Sequence, residues 1–144
     1  MRDGLLPISY DHAALNRRVL DTSALVAAQA STETLTAALV DLREELFDHF
    51  AREEEGLFPF VAELVPALAD RVHEMATAHD TICGALSRTC HAAQTNADLL
   101  EALYERFEQA YAIHARSEAD LLDGLSELLD AVQRDQLAQL IANL

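Results

Sequence analysis

Two short spacings in this chain suit metal chemistry. His49 and Glu53 are four residues apart, and so are His114 and Glu118. On a helix, residues at i and i+4 project from one face. Each pair therefore presents an imidazole nitrogen and a carboxylate oxygen side by side. His12 and His79 stand singly on apolar stripes. A lone histidine there is usually a satisfied core residue, and a lone His–Glu pair is usually an exposed polar turn. Glu45 and Asp48 show that the helix bearing His49 has an acidic side. All six residues together read differently. Burying four imidazoles without partners is costly, and a metal ion is a partner they can share. Neutral imidazole is a common ligand for iron, zinc and copper. Four nitrogens and two potentially bridging carboxylates suit two ions better than one. Two such ions would keep positions for water, oxygen or another small ligand.

The elements that must position these residues are helical. Alanine and leucine are plentiful while glycine and proline are few, which favours helix over strand. Apolar residues recur at helical spacing around each histidine. The first helix is expected from about Pro7 to Ala30, with Ile8, Leu15, Val19 and Val26 beside His12, and Ser31 and Thr32 as turn and cap. The second runs from about Glu33 to Gly56, with Gly56 and Pro59 weakening or kinking its end and Pro66 marking a fresh start. The third covers about Pro66 to Ala93, carrying Val72, Met75, His79, Ile82 and Leu86 on one stripe, with a turn at Gln94, Thr95 and Asn96. The fourth covers about Asp98 to Asp123 and ends at Gly124. A shorter amphipathic helix closes the chain from about Asp130 to Asn143.

Four long amphipathic helices with short connections fold most simply as an up-down-up-down bundle. The expected fold class is therefore an all-α four-helix bundle with a short C-terminal helix, in one domain over residues 1–144. His12 and His49 lie roughly 18 to 20 residues from the first turn, His49 and His79 roughly 14 to 16 from the second, and His79 and His114 roughly 16 to 19 from the third. A mismatch of two residues is only about 3 Å along a helix, so all four histidines should meet at one level.

Composition bounds the partners. The net charge is −15 with no lysine, so the surface repels phosphate backbones and nucleic acid is not expected. No apolar run approaches the roughly 18 residues of a membrane span, and the start, MRDGLLPISYDH, does not read as a signal peptide. Cys83 and Cys90 are seven residues apart on one expected helix, a rise of about 10 Å, which is too far for a disulfide. Free thiols and a cytoplasmic location are expected.

The residues also carry a resemblance. The run HFAREEEGLFPF resembles the signature of the hemerythrin-like HHE cation-binding family, and HARSEADLL resembles its second half. The DH at Asp11-His12 and the AHD around His79 resemble the isolated histidines of its first and third helices. The match extends from about Ser9 to Leu122. It implies two non-haem iron ions with an oxo or hydroxo bridge, His12, His49, His79 and His114 as terminal ligands, and Glu53 and Glu118 as bridges. Two positions depart from the oxygen carriers of the family. Met75 stands where they have a further histidine. Ala119 stands where they have an aspartate, with Glu118 one residue earlier. The pattern is closer to four-histidine, two-glutamate bacterial proteins linked to nitric oxide stress and iron-centre repair, without their extra cysteine-bearing domain.

The expected function is binding or sensing of oxygen, nitric oxide or peroxide at this diiron centre. A diiron enzyme that removes peroxide or nitric oxide is the alternative, with iron storage or delivery a third reading. Cys83 is expected as core filler more than site lining, His73 as solvated, and Glu54 as an exposed acid more than an alternative carboxylate for the site. Tyr10 and Tyr111 are candidates to donate hydrogen bonds near His12 and His114. The chain has no Glu-x-x-His pair of the ferritin-like kind, no phosphate-binding glycine loop and no plausible serine triad.

Overall fold

The computed structural model describes residues 6–142, with side chains from Ala13 onward except Ser126 and Ala142. Among them every regular element is helical: α1 (Leu6–Ala27), α2 (Thr32–Arg52), α3 (Phe58–Leu64), α4 (Ala69–Thr95), α5 (Leu100–Leu128) and α6 (Ala131–Ala142). A π-helical turn, Glu53–Leu57, joins α2 to α3, and 3-10 turns at Pro66–Leu68 and Ala97–Leu99 lead into α4 and α5. No helix among the described residues is long and apolar enough to cross a membrane.

The ends of the helices correct several expectations. α1 stops at Ala27, short of Ala30, because Gln29 adopts a left-handed φ of 53°. Its N–H donates to the Val26 carbonyl and that of Ala30 to the Leu25 carbonyl, both at 3.1 Å, which closes the helix. Ser31 caps α2 as expected, its hydroxyl accepting the Thr34 N–H at 3.2 Å. The helix does not end at Gly56. The winding widens instead, and Phe58 N–H reaches back five residues to the Glu53 carbonyl. Pro59 then sits in the first turn of α3, where its missing N–H is no loss. α4 runs to Thr95, two residues past Ala93, so the turn begins at Asn96 and not at Gln94.

α5 passes straight through Gly124 to Leu128. A glycine inside a helix costs about 1 kcal/mol. Burying a leucine returns about 1.5–3 kcal/mol, and Leu121, Leu122 and Leu125 are all buried around that glycine. Packing therefore overrides the local stop signal. α6 opens with a reciprocal cap. Gln133 N–H donates to Asp130 Oδ1 at 2.8 Å, and Asp130 N–H donates to Gln133 Oε1 at 3.0 Å.

α4 packs on α5 and α2, while α1 packs on α2 and α5. The buried apolar residues form two clusters. One holds Leu15, Val19, Leu42, Leu46, Phe50, Ile82, Leu86, Phe107 and Tyr111. The other holds Leu57, Phe58, Val61, Met75, Leu121, Leu125, Leu137 and Ile141. Along α2 and its π turn, along α4 and along α5, the change from one cluster to the other occurs at a buried histidine or glutamate. The Tyr104 hydroxyl ties α5 to α1 by donating to the Val19 carbonyl at 2.6 Å.

α6 packs on α1 and on the π turn, and Leu137 and Ile141 fill the second cluster. Leu137 is fully buried. Leu137→Ala should therefore cost about 2–5 kcal/mol, read as a lower urea midpoint with an unchanged slope. An unaltered midpoint would mean that α6 is not part of the cooperative fold.

Candidate metal centre

Each side chain of the centre comes from a different part of the helical frame. His49 lies in the last turn of α2, and Glu53 opens the π turn one helical step on. His79 comes from the middle of α4, and His114 and Glu118 from successive turns of α5. All five are buried. His12 and Tyr10 belong to α1, but their side chains lie outside the described residues.

Glu53 is fully buried and touches two histidines from two helices. Its Oε2 is 3.3 Å from His49 Nε2, and its Oε1 is 3.2 Å from His79 Nε2. His79 Nε2 also lies 3.1 Å from His114 Nε2. Across the same space, His114 Nε2 stands 3.8 Å from Glu118 Oε2. Donor atoms of Glu53, His79, His114 and Glu118 all fall within 4.8 Å of one another and can hold a metal ion. His49 joins this group through the second oxygen of Glu53. Two imidazole nitrogens converging beside two carboxylates is a donor set that suits iron, zinc and related ions.

The His79 ring is held between two aromatic side chains. Phe50 stacks on its ring at a centroid distance of 3.7 Å and an interplanar angle of 6°, and Phe58 lies near-parallel at 5.4 Å. Phe50 also meets His114 edge-on at 5.5 Å. Burial pulls the His79 imidazolium below its ordinary value of 6.5, against the opposing pull of Glu54. A neutral ring is the form that binds metal.

Glu54 is an exposed acid, as expected, and it also reaches a histidine of the centre. Its side chain is 46% exposed, yet Oε2 lies 2.8 Å from His79 Nδ1. No periodicity rule points to this contact. Glu54 follows Glu53 directly, and an ordinary helix sends neighbouring residues about 100° apart. The available signal was the acidic run Glu53-Glu54-Glu55 just before Gly56 and Pro59, where the helix was expected to be irregular.

The remaining residues sort as follows. Met75 is buried one turn before His79. With Ala78, Ile82, Ala110, Ile113 and His114 it lines a cleft of about 350 Å³ between α4 and α5. Arg71 lies along the same cleft and donates to the Ser117 carbonyl at 3.2 Å. Cys83 is half-buried, packs against the first cluster and also lines a surface pocket of about 440 Å³ with Glu54 and His79. It is thus both core filler and pocket wall. Burial pushes its thiol up to about 11, so it carries no thiolate at neutral pH. Both cysteines are free. His73 is exposed, as expected. Tyr111 donates its hydroxyl to Asn16 Oδ1 at 2.7 Å. Burial first, and then the charges of Glu118 and Glu53, hold its phenol above the ordinary range.

No curated protein and no solved structure matches the chain. A family model described as the hemerythrin HHE cation-binding domain matches residues 8–125. That stretch holds His12, His49, Glu53, His79, His114 and Glu118, and most of the chain. With the converging imidazoles and carboxylates, the match identifies the chain as a member of the hemerythrin HHE cation-binding family.

Proposed function

We propose that this chain is a single hemerythrin-like domain, an up-down-up-down four-helix bundle of the cytoplasm. It holds two non-haem iron ions and binds or senses oxygen, nitric oxide or peroxide. His12, His49, His79 and His114 serve as terminal ligands, and Glu53 and Glu118 as bridges. The observation that carries this reading is Glu53. One buried carboxylate reaches histidines of two helices through its two oxygens, at 3.3 and 3.2 Å. A bridge between two ions needs that arrangement, whereas a single ion needs only one oxygen. Glu118, four residues after His114, supports a matching role on the opposite side.

Bound iron would supply one-electron chemistry and open positions for a small ligand. The chain itself sets who reaches it. The cleft between α4 and α5 is lined largely by apolar side chains and has His114 in its wall. The chain carries a formal net charge of −15. Small uncharged ligands suit such an approach better than anions do. Met75 is a poor ligand for iron beside imidazole, and it packs in the second apolar cluster. One iron would then have one nitrogen fewer than in the oxygen carriers of the family.

Steady-state turnover of peroxide or nitric oxide by the iron-loaded protein would move the reading from sensor to enzyme. Release of iron to an apo-acceptor would move it to iron delivery. For the proposed site, the reduced iron-loaded protein should oxidise in air in a way that degassing does not reverse, followed by its charge-transfer absorption. Met75→His should slow that oxidation severalfold. Full recovery of the reduced spectrum on degassing would restore the oxygen-carrier reading.

A further inference from the structure

Consecutive glutamates hold opposite nitrogens of one imidazole. Glu53 Oε1 faces His79 Nε2 at 3.2 Å, and Glu54 Oε2 faces His79 Nδ1 at 2.8 Å. The π turn, which begins at Glu53, makes this possible. The wider winding lets two adjacent side chains reach the same ring on α4, one from within the core and one from the surface pocket. Phe50 and Phe58 hold the ring plane between these contacts.

The hydrogen bond decides which nitrogen carries the proton. A carboxylate only accepts hydrogen bonds, so the short contact to Glu54 requires the proton on Nδ1. In a neutral imidazole the other nitrogen then carries a lone pair. That nitrogen, Nε2, is the atom that faces Glu53 and His114. Were the proton on Nε2 instead, the ring would present an N–H to the metal position and a lone pair to the Glu54 carboxylate.

Resting on the metal-centre reading above, we infer that Glu54 is a positioning residue: it holds the proton on His79 Nδ1 and so aims the Nε2 lone pair at the metal. It touches neither the ion nor its small ligand. Its half-exposed carboxylate acts through the ring, fixing the tautomer and strengthening Nε2 as a donor, as carboxylates behind metal-bound histidines do.

The test compares Glu54→Ala, Glu54→Gln and Glu55→Ala by chelator competition for ferrous iron. Glu55 is exposed on the wall of the same surface pocket and carries the same charge. Glu54→Ala should weaken iron binding about ten- to a hundredfold, with unchanged helicity and the same number of ions at saturation. Glu54→Gln should recover most of the affinity, because its amide oxygen still accepts the Nδ1 proton. Glu55→Ala should stay within about twofold of the parent, as surface substitutions do. In the zinc-loaded, diamagnetic protein, an exchange-protected His79 imidazole N–H signal should appear in the parent and in Glu54→Gln and be lost in Glu54→Ala. Parental affinity in Glu54→Ala would overturn the inference and leave the metal centre standing. So would a Glu54→Gln protein as weak as Glu54→Ala, or an equal loss in Glu55→Ala. A parent protein that binds no metal would overturn both.

Discussion

Placing carboxylates and imidazoles in the middle of a helical bundle is expensive, and the rest of this structure is organised around that cost. A buried hydrogen-bonding group left without a partner costs about 1–3 kcal/mol, and an ion brought out of water costs several kcal/mol even after relaxation. Glu53 and Glu118 are almost completely buried, with His49, His79 and His114 around them. They are tolerable only where they meet one another and, in the proposed function, a cation. The two apolar clusters lie on either side and supply the burial that holds the helices in register. A shift of one residue on any helix would turn its polar side chain away from the others by about 100°. The polar level therefore specifies the packing while the apolar levels stabilise it.

The π turn carries that constraint into the backbone. A regular α2 continued through Pro59 would set the proline ring against the Glu55 carbonyl. The π winding removes the conflict and puts Glu53 at the junction, where its carbonyl accepts the Phe58 N–H and its side chain enters the core. Short π segments inside helices occur often at functional sites. Here the turn also gives Glu54 its reach to His79, and α6 packs over it from outside. Local irregularity and metal-site geometry are one feature of the chain.

Much of this was legible in the sequence because it is periodic. The His-x-x-x-Glu pairs and the apolar stripes around His79 and His114 follow from the helical repeat, and His49, Glu53, His79, His114 and Glu118 come together where it predicts. The failures share a cause: a local residue preference was overridden by packing or by an unusual winding. Gly124 reads as a stop but lies inside α5 because leucines around it are buried. Gln29 takes the left-handed turn position that glycine usually fills, so α1 ends earlier than its sequence suggests. Gly56 and Pro59 signalled an irregularity, but not that it would be a wider helix. Glu54 read as an exposed acid, which it is, but its contact with His79 was not foreseen because it depends on that winding and on a ring supplied by another helix.

The most direct test is an anaerobic titration of the purified protein with ferrous iron, with bound iron counted per chain in the parent and in Glu53→Ala. The parent should saturate at about two ions, as a site of two similar halves requires, and its melting temperature should rise as they bind. Glu53→Ala should lose most of both. Saturation of the parent at one ion, a preference for a lone zinc, or identical melting with and without iron would contradict a buried diiron centre bridged by Glu53.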